Sequence, residues 1–309
     1  MARSLRVSQT RPEASGLSTE NRLIRTLDRS ITGRLRKSLL SDPFAMAALV
    51  FLVLIGVAAL MAPQIAPHDP YEVNLMRRLS PIGTPGHLLG TDELGRDIAS
   101  RLLWGGRISL PVAIIPTVVA LVVGTAVGLA SGYVGGSPDQ VIMRVLDVVM
   151  AFPYILLAIG IAAVLGPGIF NAILAVTVIG IPVIARLMRS TVLSLREQEF
   201  VLAATASGAT TSRILFRHIL PNSVSILIVY GSLGAGAKVI ASASLGFLGL
   251  GVEPPQADWG SMLAAGRVHL LVAPHAATVP GLLIFAFALA FNVLGEAFRD
   301  ALDPRMPTS

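Results

Sequence analysis

The feature that most constrains this chain is a set of long apolar runs without charge. Residues 43–67, 108–138, 148–185 and 276–295 contain no Asp, Glu, Lys or Arg, and 222–250 contains only Lys238. About 20 helical residues cross the hydrocarbon of a bilayer. Within lipid the backbone must satisfy its own hydrogen bonds, which leaves helices or closed barrels. Runs this long and unbroken favour helices. The run Val148–Ala185 is too long for one span, and Gly166-Pro167-Gly168 divides it into a hairpin of two. The expectation is an all-α polytopic membrane protein with six transmembrane helices and both termini on the same side. Composition agrees: 14% of residues are charged and 53% hydrophobic, whereas soluble domains carry about 25% charged residues.

The net charge of +6 is unevenly spread. Residues 1–42 hold nine Arg/Lys against four Asp/Glu, and the remainder is nearly balanced. A basic leader ahead of a first span marks a cytoplasmic N-terminus under the positive-inside rule. It does not have the form of a secretory signal, because the apolar run lies too far in and no small-residue cleavage site ends it. With the N-terminus inside, seventeen Arg/Lys fall in cytoplasmic segments and six outside, with Lys238 in the membrane. The expected topology is N-in, C-in. Only 6% of residues are aromatic and no basic stripe interleaves with them, so nucleic acid is not an expected partner.

Catalytic signatures fail on inspection. Gly231–Lys238 looks like a phosphate-binding loop, but Ala237 separates glycine from lysine and Val239 stands where a hydroxyl would be needed. Neither a zincin nor a serine-hydrolase motif occurs. Cysteine is absent, and the histidines at 68, 87, 218, 269 and 275 are scattered without metal-ligand spacing. Asp92, Glu93 and Asp97 cluster but miss the alternation of a calcium loop. No covalent chemistry and no bound metal or cofactor is expected. Proton- or ion-coupled carriers usually place carboxylates within their spans, and none lies deep in a span here. Lys238 stands alone there. It either faces a water-filled pathway or snorkels, or pairs with a neighbouring subunit.

The segment between the fourth and fifth spans is the most informative. In Glu199–Ala209, Ala204 and Gly208 are four apart, as are Ala203 and Ser207, so one helical face is nearly bare and open to close approach by another protein. A second short helix is expected after Thr210-Thr211-Ser212, stopped by His218-Ile219-Leu220-Pro221 at the membrane.

This stretch resembles the Glu-Ala-Ala loop of binding-protein-dependent ABC importer permeases: an Ala-Ala pair, glycine four residues on, and Leu-Pro twelve further. Leu202 stands where that pattern usually has glutamate, with Glu199 as the nearby acid, and His218 replaces a common isoleucine. Other blocks resemble dipeptide/oligopeptide-type permeases of the C class: Gly90–Asp97, Gly132-Tyr133-Val134-Gly135-Gly136, Arg217–Asn222, Phe247–Gly251 with Trp259-Gly260, and Phe291–Gly295 running to Asp303-Pro304-Arg305. Departures fall at Ser242, where relatives usually have glutamate, at His275 and at Lys238.

The resemblance implies the type I ABC importer permease architecture. It implies a prokaryotic inner-membrane subunit, not itself an enzyme, that pairs with a homologous second permease. Two ABC ATPase subunits would bind ATP and Mg beneath it, and an extracytoplasmic substrate-binding protein would deliver di- or oligopeptides. Glutathione, nickel chelates or oligosaccharides are the alternative cargoes within the class, and a stand-alone secondary transporter is the rival outside it. ATPase coupling falls to Glu199, Ala203, Ala204, Gly208, His218, Leu220 and Pro221, and the translocation pathway to Lys238 and Ser242. The expected division is a basic cytoplasmic segment over 1–42, a first span over 43–67 and an extracytoplasmic segment over 68–107. A permease core follows over 108–297, with coupling helices at 199–221 and a cytoplasmic tail over 298–309. Residues 68–107 either receive the binding protein or only cap the bundle.

Overall fold

The computed structural model of the protein describes residues 38–302 together with residues 33, 35 and 36. Most of the expected basic leader and the Asp303-Pro304-Arg305 end of the tail lie outside the described residues. The described chain is helical, with isolated bridges only at Thr84–His87 and Thr91–Asp97. Helix α1 is Pro43–Leu60, α2 Ile98–Val134, α3 Gly136–Met150, α4 Tyr154–Leu165 and α5 Ile169–Leu195. Helix α6 is Glu199–Ala206, α7 Thr211–Phe247, α8 Trp259–Arg267 and α9 His275–Leu302.

Helices α1, α2, α5, α7 and α9 are each long and apolar enough to cross a membrane. The sixth expected span is a broken one. Helix α3 meets α4 at a bend of 87°, with Pro153 at the N-cap of α4. The expected hairpin divided at Gly166-Pro167-Gly168 is present as α4 and α5, with its first arm starting at Tyr154 rather than 148, and α3 lies across α4. Helix α3 buries Asp139 and Leu146 and exposes Val141, Val145 and Val148.

Two other boundaries differ from expectation. Helix α2 starts at Ile98 rather than 108, because the Asp97 carboxylate caps it by accepting from the Ser100 N–H. Its 37 residues make about 55 Å of helix, well beyond the roughly 30 Å hydrocarbon core, so Arg101 and Arg107 sit on the excess length. Nor does Pro221 stop a helix. The chain is helical from Thr211 to Phe247, and Ile214–Ile219 form a widened turn in which the Leu220 N–H reaches the Leu215 carbonyl. Widening the turn makes room for a proline that would otherwise clash with the preceding carbonyls.

Contacts sort the loops onto two ends. At the first end, residues 61–97, the 166–168 turn and 248–275 meet: the Gly168 N–H donates to the Gly251 carbonyl at 2.7 Å, and the His275 ring abuts Gly90. At the second end, the Ser38 hydroxyl donates to the Ala297 carbonyl, and Arg196 reaches the Gly132 carbonyl. Residues 38 and 297 thus lie together at this end.

The most extensive contact is α2 against α5, running parallel. Gly124, Gly128 and Gly132 recur every fourth residue on one face of α2 and receive Ile184, Met188 and Val192 of α5. Small residues at this spacing let helix backbones approach closely in a medium without a hydrophobic driving force. A Cβ on Gly128 would stand 2.4 Å from the Ala185 carbonyl oxygen. Gly128→Ala is expected to destabilise the purified chain by about 1–3 kcal/mol through overpacking. Gly160→Ala, where the added carbon meets nothing within 4 Å, should leave the thermal midpoint unchanged or raised. Equal midpoints for the two variants would count against the seam.

Candidate functional site

At the second end, the chain leaves α5, turns once at Gln198 and enters α6. Glu199 occupies the first turn of α6, where a carboxylate complements the helix dipole. Val201 is the buried anchor of α6, packed with Leu129 of α2, Met188 and Val192 of α5, and Ile214 and Ile219 of α7. Around it Phe200, Leu202 and Phe216 remain 42%, 55% and 63% exposed. Ala203 is exposed and Ala204 half-buried.

Gly208 is not on the bare helical face that its spacing suggests. It lies beyond the helix at φ +77°, its N–H donating to the Thr205 carbonyl while the Ala209 N–H donates to the Ala204 carbonyl. This pair of bonds is a Schellman cap, which needs the left-handed conformation that glycine adopts without strain. Thr210 then caps the next helix. His218 and Leu220 are half-buried around the widened turn, where the Asn222 amide donates to the His218 carbonyl. Pro221 sits in the first turn beyond it.

An ion pair that spacing did not reveal braces this end. Arg189 of α5 donates from Nε and Nη2 to the two oxygens of Asp139 on α3, at 2.6 and 2.5 Å, and Ser131 of α2 donates to the same carboxylate. Three helices meet on one carboxylate. Fifty residues separate its partners, so no local pattern marks them.

Lys238 and Ser242 lie four apart on α7, hence on one face. The Lys238 stem runs beside Gly180 of α5, whose missing side chain makes room for it. Its ammonium donates to the Gly234 carbonyl one turn back at 3.4 Å. Among the described residues no carboxylate oxygen lies within 4.0 Å of it. Ser242 is buried.

At the first end, Gly90–Asp97 folds into a closed loop. The Asp92 carboxylate accepts from the Leu94 and Arg96 N–H groups and from Arg96 Nε at 2.6 Å, and Arg96 also holds Glu93. Arg101 donates to the Pro70 carbonyl. A side chain at Gly95 would run into the Asn74 carbonyl. The histidines are less scattered than their sequence positions indicate, which is a correction: His68 and His87 both converge on Asp97. Nearby, Asp258 caps α8 and accepts the Ser109 hydroxyl of α2 at 2.7 Å. The Trp259 indole donates to the Leu102 carbonyl and packs on Phe287 of α9. Gly105, Gly106 and Gly246 leave the space this requires.

A bundle of long apolar helices with a short, partly exposed helix at one end suits a multi-pass membrane protein. Residues 124–307 match the family described as binding-protein-dependent transport system inner membrane component, and residues 30–81 match the N-terminal TM domain of oligopeptide transport permease C. The chain belongs to this family, as a multi-pass permease component of an ABC importer. It is 45% identical over 262 residues to the glutathione transport system permease protein GsiD of Pectobacterium atrosepticum, covering 85% of this chain and 87% of that one. It is 42% identical over 270 residues to the dipeptide transport system permease protein DppC of Alkalihalophilus pseudofirmus, covering 87% and 88%.

Burial raises the Asp258 carboxyl above its ordinary value of 3.8, against hydrogen bonds from Ser109 and from the Ser261, Gly260 and Trp259 N–H groups that lower it. The folded chain therefore holds this proton more tightly than the unfolded chain. Its stabilising contribution is present at low pH and is lost as pH rises from that ordinary value through the raised one. The melting-temperature difference between the wild type and Asp258→Asn should shift in favour of the wild type as pH is lowered from neutrality toward the ordinary carboxyl value. A difference independent of pH would mean that Asp258 titrates as an exposed carboxylate does.

Proposed function

We propose that this chain forms one half of the pore of an ATP-driven importer for di- or oligopeptides. A homologous permease supplies the other half, and an extracytoplasmic substrate-binding protein delivers the cargo. Two ABC ATPase subunits holding ATP and Mg dock at the second end, and this chain carries out no chemistry of its own. The observation that carries the reading is the exposed apolar surface of Phe200, Leu202 and Phe216 around a helix held by Val201. An apolar patch of this kind on a small helix suits a partner's groove. The second end is cytoplasmic in this reading, supported by the excess of Arg/Lys in the segments that lie there.

Coupling follows from the packing. Val201 touches the start of α7 and the last turns of α5, and α7 runs unbroken from Thr211 past Lys238 and Ser242. When the ATPases close, a displacement of α6 is carried along α7 to the pathway residues, and the helices repack between two discrete arrangements. The expected cytoplasmic segments at 1–42 and 298–309, the first span over 43–67 and the core over 108–297 keep their roles in this scheme. Residues 68–107 face the binding protein.

Glutathione is the second reading, favoured by the 45% identity to a relative named for it. Proteoliposomes containing the partner subunits, with the binding protein on the receiving side, separate the two. Saturable ATP-dependent uptake of a labelled dipeptide that glutathione does not compete supports the first, and competition by glutathione alone supports the second. Uptake that persists without ATPase subunits would overturn both.

Gly208→Asp puts a charge beside the docking face at a left-handed position that both Asp and Asn adopt more readily than other side chains. ATPase co-purification should fall at least tenfold with the helices still inserted, while Gly208→Asn, which tolerates the conformation, retains it. Wild-type co-purification and uptake in Gly208→Asp would remove α6 from the coupling role. Lys238→Ala should change the KM for peptide uptake several-fold without loss of assembly, and unchanged kinetics would exclude Lys238 from the pathway.

A further inference from the structure

Three side chains at the first end, contributed by three separate segments, aim their donor atoms at one point. His68 follows the single helical turn Ala62–Ile65, His87 lies in the turn bridged to Thr84, and Asp97 caps α2. His87 Nδ1 is 2.9 Å and His68 Nδ1 3.9 Å from the same oxygen, Asp97 Oδ1. All three donor atoms lie within 4.8 Å of one another. The Asp97 side chain is fully buried and that of His87 is 8% exposed, while His68 is 33% exposed.

The hydrogen bonding leaves this point open to a further occupant. Asp97 Oδ2 is used by the Ser100 N–H and hydroxyl, which fixes the carboxylate and turns Oδ1 toward the imidazoles. The Ser100 hydroxyl oxygen also accepts the backbone N–H of His68 at 3.0 Å. The two rings stack with centroids 4.6 Å apart and planes 28° from parallel. His68 Nδ1 is closed off from solvent and has no hydrogen-bond partner. A buried ring nitrogen left unpaired is uncommon and calls for a physical explanation.

We propose that His68 Nδ1, His87 Nδ1 and Asp97 Oδ1 form a binding site for a divalent cation, with Zn²⁺ the best match. Two imidazole nitrogens and one carboxylate oxygen suit zinc rather than calcium or magnesium, which take oxygen ligands. Tetrahedral zinc with bonds of about 2.0–2.1 Å holds its donors about 3.3–3.5 Å apart. The spacings of 2.9 and 3.9 Å bracket that value. Binding replaces the His87–Asp97 hydrogen bond, with the His87 proton on Nε2. The exposed flank of His68 admits the ion and a water as fourth ligand. The Ser100 bonds to Asp97 Oδ2 act as the outer support that orients the carboxylate. The cation would clip the segment ending at His68 and the loop around His87 onto the start of α2, stiffening this end of the protein.

The full chain, purified in detergent and stripped with a chelator, is titrated with Zn²⁺ by calorimetry and with Co²⁺ by visible absorption. The expected result is one site per chain, a Kd of about 1 µM or tighter, and cobalt bands of a low-symmetry nitrogen–oxygen site. His68→Ala leaves the His87–Asp97 hydrogen bond in place, so the fold is kept. It should weaken zinc about 100-fold or more and abolish the rise in melting temperature that zinc gives the wild type. His269→Ala, remote in sequence, should bind as the wild type does. Wild-type binding weaker than about 100 µM, or an affinity that His68→Ala leaves within a few-fold of the wild type, overturns the site.

Discussion

The close approach of α2 and α5 is the contact on which the remaining architecture depends. Gly124, Gly128 and Gly132 let α5 lie against α2 with side chains from one helix seated on the backbone of the other. Lipid is as apolar as the helices, so dispersion across a void-free seam has to supply what the hydrophobic effect supplies in water. The lower end of that seam is the cluster of Leu129, Met188 and Val192 that receives Val201, Ile214 and Ile219. The position of the small helix α6 is therefore inherited from the glycine spacing on α2.

The few carboxylates on the described helices serve mostly as fasteners. Asp42, Asp97 and Asp258 each accept a backbone N–H at the start of a helix, where the first turn would otherwise carry unpaired donors. Asp139 joins three helices, and Asp92 closes the loop that ends in Asp97. Low charge content goes with a chain whose charged groups bind its helices together at their ends. Lys238 is the exception, a cation in mid-helix whose ammonium donates to the Gly234 carbonyl and, among the described residues, meets no carboxylate within 4.0 Å.

Much of this was legible in the residues. Five of the long helices follow charge-free runs, and the segment around Ala203-Ala204 is a helix that is exposed at one end, as its flanking charges and glycine imply. What misled was local punctuation read without its surroundings. Pro221 reads as a stop, yet the widened turn before it absorbs the ring. Gly208 reads as part of a bare face, yet its backbone forms the cap. The break at 151–153 went unread because only Val148–Met150 of α3 fall within the apolar run, so the run itself carried no mark of the bend.

Charge-free runs were sufficient for the all-helical class and the approximate span positions, because lipid admits so few ways of satisfying a backbone, while the motif blocks carried the resemblance to the family. Tertiary structure alone decided the 87° bend between α3 and α4, the Asp139–Arg189 clamp and the meeting of His68, His87 and Asp97. Each of these joins residues that no helical or turn period relates. Their proximity follows from how whole helices pack, and side-chain fit across the bundle, rather than spacing along the chain, sets that packing.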